Sequence, residues 1–175
     1  DLAAVESPAR VDVSSGGERY VGMKANDLAR GKGSWVDRRE EAGMKLPSGA
    51  IVLPPNGGRH YDMGSLRAVF KADEAETQER YSVSEWWLHP NVPGPGAHTH
   101  EDNDEVFFVL EGRPDLLVGE EWVSLDRGGF ALVPSGVSHD FRNTTGEEAG
   151  LLNLFIPGGF ERDMPEIVKW FEEHR

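Results

Sequence analysis

The chain contains no cysteine, which removes disulfides, thiolate metal ligands and a thiol nucleophile from consideration. That absence fits a reducing compartment, and a cytoplasmic location is the expectation. No run of eighteen apolar residues occurs and no charged-then-apolar leader is visible, so nothing reads as a membrane-spanning or targeting segment. The first residue, Asp1, is not a methionine, which leaves an upstream segment open. Cations are scarce: 18 Lys and Arg stand against 31 Asp and Glu, a formal charge of −13. Nucleic acid and anionic lipid both need a cationic surface, so neither is an expected partner, and the charge mainly predicts solubility. No basic face or DNA-binding helix pair is present either. A length of 175 residues is that of one domain with room for a core.

Against this background the histidines stand out. His98 and His100 are one residue apart, Glu105 follows, and His139 lies further on. If Ala97–His100 is extended, His98 and His100 leave the same face and can aim at one interior point. Glu101-Asp102-Asn103-Asp104 is a polar turn that lets Glu105 re-enter from another angle. Val106-Phe107-Phe108-Val109-Leu110, bounded by Gly112 and Pro114, reads as a strand buried on both faces. Further on, Gly128-Gly129 is a turn, Phe130-Ala131-Leu132-Val133 an apolar strand and Pro134-Ser135-Gly136 another turn. His139, Phe141 and Asn143 then share one face. Three imidazoles and a carboxylate make an N3O donor set suited to one divalent transition metal per chain (Fe, Mn, Ni, Co, Cu or Zn), with positions left for water or substrate. His-x-His alone is more often a pair of surface or hydrogen-bonded histidines. The metal reading gains its force from Glu105, His139 and the turn frames around them.

These residues resemble the two signature motifs of the cupins. The first has the form G-x5-H-x-H-x3,4-E-x6-G, and His98, His100, Glu105 and Gly112 fit it, with Val92 where the leading glycine is expected. Gly94 and Gly96 are expected to do that turn's work. The second, G-x5-P-x-G-x2-H-x3-N, is met at every fixed position by Gly128, Pro134, Gly136, His139 and Asn143. The resemblance implies an all-β fold, a double-stranded β-helix or jelly-roll barrel, with a metal at its mouth held by His98, His100, Glu105 and His139. Residues 50–160 look like a single-domain conserved-barrel cupin, with quercetin 2,4-dioxygenase-like proteins among the nearest characterised types. One fold hosts many chemistries, and cupins include dioxygenases, isomerases, epimerases, lyases and binding modules.

The remaining pattern divides the chain into an arm (1–47), a barrel (48–160) and a C-terminal helix (161–175). In the arm, Ser34 caps a short helix through Trp35–Glu41 that ends near Gly43. The arm is expected to lie over the barrel or a partner subunit, which makes a homodimer the expected assembly. Strands are expected at Ala50–Leu53, Leu66–Lys71, Tyr81–His89, Leu116–Val118, Trp122–Ser124, Phe130–Val133, His139–Asn143 and Leu151–Ile156, besides the first motif. Asp163 with Glu166 three later reads as a capping box, and Ile167, Trp170 and Phe171 form one stripe that packs on the barrel.

Phe107 and Val109 share parity with Glu105, and Phe141 with His139. With Trp86 they are the candidate walls of a substrate pocket, core packing being the plainer reading. Glu105 is the candidate catalytic group, either as a ligand or as a base that leaves the metal to take a substrate proton. A carboxylate beside a cation stays ionised, and displacement restores its basicity. His60, His89 and His174 match no motif position and are read as surface or structural. The expected function is a metal-dependent, dioxygenase-like oxidoreductase acting on a small aromatic or enolic substrate. A non-redox isomerase or lyase, or a binding cupin without catalysis, are the alternatives.

Overall fold

Alternating apolar and polar residues in short segments separated by glycine and proline turns dictate a sheet protein, and the computed structural model, which describes residues 49–174, is one. The order is β1 (Arg59–Asp62), β2 (Leu66–Ala72), α1 (Glu74–Thr77), β3 (Ser82–Leu88), β4 (Asp104–Glu111), β5 (Asp115–Val118), β6 (Glu121–Ser124), β7 (Phe130–Val133), β8 (His139–Arg142), β9 (Ala149–Ile156), a 3-10 turn (Phe160–Asp163) and α2 (Met164–Glu173). The strands form a six-stranded sheet in the order β1-β2-β3-β9-β4-β7 and a three-stranded sheet in the order β6-β5-β8, with every pairing antiparallel. The expected arm and its helix lie outside the described residues.

The core is the space between the sheets. β3 alternates strictly, so Ser82, Ser84, Trp86 and Leu88 point in while Val83, Glu85 and Trp87 point out. Leu66, Ala68 and Phe70 of β2, Phe107 and Val109 of β4, Leu116 of β5, Phe141 of β8 and Leu151 of β9 complete one cluster. Two isolated bridges, Val92 with Asn143 and His98 with His139, join the loop between β3 and β4 to the β8 segment.

Asn143 holds that junction. It is 1% exposed, and its amide donates to the carbonyls of His89 (2.9 Å) and Glu147 (2.7 Å) while its oxygen accepts from the Thr145 N–H (3.0 Å). Replacing it with alanine strands several buried backbone groups. Asn143→Ala is expected to cost about 2 to 3 kcal/mol, read from the urea midpoint of the metal-free protein. A loss below about 0.5 kcal/mol would show that water replaces those bonds freely.

Several expectations need correction. Ala50–Leu53 is not a strand, and the exposed Ile51, Val52 and Leu53 belong to no sheet. The first strand among the described residues is instead Arg59–Asp62, which charged residues disguise. They are tolerated because β1 is an edge, and because Arg59 reaches Glu76 (2.9 Å) and Glu161 (2.6 Å) off the sheet. β4 is not buried on both faces: Glu105, Phe107 and Val109 are buried, whereas Phe108 is 40% exposed on the outer face. Edge strand β7 likewise turns Phe130 and Leu132 to the outside. The sequence pattern also missed α1, whose Asp73 and Glu76 form a reciprocal capping box.

The C-terminal helix is present without the capping box expected for it. Asp163 has helical φ and ψ and no side-chain cap bond, because the preceding 3-10 turn runs straight into α2. The turn is held from elsewhere. The buried Asp73 carboxylate accepts the Gly159 N–H (2.6 Å), the Glu161 N–H (2.7 Å) and the Ser82 hydroxyl (2.5 Å). From that anchor Met164 is fully buried, and Ile167 and Phe171 pack on the core.

Candidate metal centre

Three chain segments bring the four polar side chains together. His98 and His100 come from the loop before β4, Glu105 from near the start of β4, and His139 from the start of β8. The His98 segment is not the continuous strand expected. Only His98 pairs, exchanging backbone bonds with His139 (3.0 and 2.9 Å), while the His100 carbonyl accepts the Gly136 N–H at 2.8 Å. These contacts clamp one motif against the other and still aim both rings inward. Glycine makes the approach possible: a Cβ on Gly94 would lie 1.7 Å from the Phe141 carbonyl oxygen, and Gly96 has φ +96°. With Val92 at the position of the leading motif glycine, these two shape the turn.

One ligand atom from each of His98, His100, Glu105 and His139 lies within 4.8 Å of all the others. The ring centroids of His98 and His139 are 4.5 Å apart, and those of His98 and His100 5.0 Å. The ring Nδ1 atoms of His98 and His139 donate to the carbonyls of Gly96 (2.8 Å) and Val137 (2.9 Å). Those bonds leave Nε2 of each neutral ring as a lone pair facing the centre. Nε2 of His100 and Nε2 of His139 approach Glu105 Oε1 at 3.0 and 3.4 Å, yet the angles make no hydrogen bond and both buried nitrogens lack a partner. Orphaned buried nitrogens are rare because they are costly. Three imidazoles, two of them with such nitrogens, around one carboxylate oxygen fit a divalent transition metal.

The electrostatics agree. Burial alone would raise the Glu105 carboxyl, but the His100 and His139 rings against it hold it down to about 2. Burial pushes His98 below the usual histidine value, and the neighbouring rings reinforce that. His139 is also penalised by burial, yet contact with the Glu105 carboxylate and the Val137 carbonyl carries it above the usual value. The Glu105 carboxylate is thus ionised, which favours a cation, whereas the raised His139 value favours a ring proton that an ion would have to displace.

A cavity of about 420 Å³ opens over His98, His100 and Glu105. Of the residues expected to wall it, Trp86, Phe107 and Phe141 do. Val109 does not. It shares the inward face of β4, but it sits fully buried at the far end, where its backbone pairs with Gly128 and Gly129. The sequence reading missed Asn153, Phe155 and Phe160. Asn153, 5% exposed, donates its amide to the second Glu105 oxygen (2.9 Å), which leaves Oε1 for the centre. Its signal was legible, since it is the one polar residue within Leu151-Leu152-Asn153-Leu154 and has inward parity. Phe155 stands edge-on to His100 (4.8 Å between centroids) and Phe160 faces it at 6.1 Å. Among the unmatched histidines, His60 bonds the Asn56 carbonyl and His174 stacks on Trp170, both at the surface.

Residues 85–155, which hold all four side chains and Asn153, match the family profile described as the cupin domain. Over that span the chain is similar to the cupin domain. An uncharacterised protein from Streptomyces coelicolor is 41% identical over 54 residues, 31% of this chain and 50% of that protein. The chain spans about half the length of the curated relatives it matches, 50% and 57% of two of them. Solved structures with the same fold include a predicted oxalate decarboxylase from Thermotoga maritima, 20% identical, with a TM-score of 0.52 over 65% of this chain and 99% of that one. They also include a cupin-superfamily sugar phosphate isomerase from Silicibacter pomeroyi, 18% identical, with a TM-score of 0.52 over 60% and 74% of the two chains. At such identities these neighbours speak to the fold alone, and their descriptions differ in chemistry. The described residues therefore form a barrel with a cupin-like fold and a His/Glu cluster able to bind a metal.

Proposed function

We propose that the cupin domain is a metal-dependent enzyme, a dioxygenase-like oxidoreductase acting on a small aromatic or enolic substrate, in the manner of the quercetin 2,4-dioxygenase-like cupins its motifs resemble. The observation that carries the reading is the pair of buried Nε2 atoms of His100 and His139 that lack a hydrogen-bond partner, beside a cavity lined by His100 and walled by Trp86, Phe107 and Phe141. A redox-active divalent metal held by His98, His100, Glu105 and His139 supplies Lewis-acid polarisation of a substrate oxygen and electron exchange with dioxygen.

The chain's own groups do the rest. The aromatic walls exclude water and so strengthen each charge interaction at the floor. Glu105 is the one carboxylate lining the cavity among the described residues, and its Oε1 would take a proton from a substrate hydroxyl on leaving the ligand position. Asn153 keeps hold of Oε2 and limits where that carboxylate can swing.

The test is oxygen uptake by protein reconstituted with Fe, Cu, Ni, Mn or Co, presented with catechol-, diketone- and flavonol-type compounds. Substrate-dependent uptake that vanishes in Glu105→Gln is the expected result. Turnover under argon would move the reading to an isomerase or lyase, and saturable binding with the compound recovered intact would leave a binding protein.

A further inference from the structure

Resting on the reading of the four side chains as a metal centre, we infer that the cavity selects a ligand with a single oxygen-bearing head and an uncharged body of more than one ring, and that Trp170 of the C-terminal helix sets how far that body is gripped. The cavity's polar side chains are all at one end: the three imidazole and carboxylate groups of His98, His100 and Glu105, with Asn153 beside them. Among the described residues every other lining side chain is apolar, and no lysine or arginine is among them. Four of the cations on the barrel are engaged elsewhere. Arg59 is held by Glu76 and Glu161, Lys71 by Glu85, Arg142 by Asp115, and Arg162 by Glu74. A phosphate or second carboxylate away from the floor would meet aromatic carbon without a counter-charge, which is costly, and a polyol would meet too few donors and acceptors. Apolar ring faces are what these walls reward.

The barrel supplies the fixed part of the wall, and α2 supplies Ile167, Trp170 and Phe171. The root of α2 is tied down by the Asp73 contacts and by fully buried Met164. Toward its far end the packing loosens: Trp170 lines the cavity and is 51% exposed, its ring stacked on His174 at 4.4 Å. A ligand whose head sits at the floor therefore meets Trp170 with its distal ring.

Calorimetry on the metal-loaded full chain decides this, with catechol, 2,3-dihydroxynaphthalene and glucose 6-phosphate as probes. The second ring is expected to tighten binding about tenfold, as burial of roughly one further ring face supplies. Trp170→Ala, at a half-exposed position, should reduce that gain to about threefold, weakening the two-ring probe more than catechol. The phosphorylated sugar should bind more weakly than catechol. A second ring that adds nothing, a gain untouched by Trp170→Ala, or tighter binding of the sugar phosphate would each overturn the inference. His98→Ala/His139→Ala separates the two readings. Both phenolic probes should weaken there and keep their order. Unweakened binding with the order kept would sink the metal centre and leave the ring-selective cavity standing.

Discussion

Wild-type protein is expected to hold about one transition-metal ion per chain after reconstitution, and His98→Ala/His139→Ala none. The two substitutions remove donors from separate segments, so no single loop adjustment restores the set. Because a ligand that binds only the folded state stabilises it by mass action, metal at a hundredfold excess over its dissociation constant should add about 2.7 kcal/mol to the wild type. That corresponds to a melting temperature higher by roughly 10 °C, and the double variant should show no metal-dependent rise. Elemental analysis beside thermal melts with and without a chelator reads both quantities. Equal metal in the two proteins would place the ion elsewhere and remove the basis of the proposed chemistry.

The second large effect is on acid stability of the metal-free protein. The Glu105 carboxyl is depressed from 4.5 to about 2 in the folded state. A group depressed by folding contributes stability that is fully present above its unfolded value and is lost as pH falls through its folded value. The carboxylate should therefore contribute roughly 3 kcal/mol at neutral pH, declining from about pH 5 and gone near pH 2. His139, raised by folding, contributes below its unfolded value and loses that contribution as pH climbs through its folded one. His98, lowered by folding, acts with the opposite sign. Urea titrations of wild type and Glu105→Gln between pH 6 and 2.5 should converge as the solution is acidified. Parallel curves would show that Glu105 is not ionised in the folded metal-free state.

The fold and the clustering of His98, His100, Glu105 and His139 were legible for one reason: both are written in local spacing. The turn glycines, the alternation along β3 and the fixed intervals among His98, His100, Glu105 and His139 need no long-range information. What was misread depends on position within the finished sheet. β1 looked like a loop because an edge strand may carry Arg59 and Asp62, and β4 looked doubly buried because its outer face keeps Phe108 although little covers it. Val109 was assigned to the cavity on parity, but parity gives the face of a strand and not the depth along it. Asp163 was read as a cap because the 3-10 turn before it is invisible to a rule based on side-chain type. Asn153 was passed over, although a buried amide in an apolar run needs a partner, and that partner proved to be Glu105.

The pairing of β3 with β9 joins Ser82 to Phe155 and Leu88 to Ala149, residues far apart in the chain, and β9 is also the neighbour of β4. Chains dominated by such distant pairings fold slowly, because loop entropy is lost before the contacts that repay it can form. Glu105 and Asn153 meet only across the β4–β9 pair, and His98 meets His139 only when the β8 segment has docked. No half-formed barrel contains the donor set. An ion bound there would therefore have nothing to nucleate in the nascent chain, and its binding would report a finished barrel.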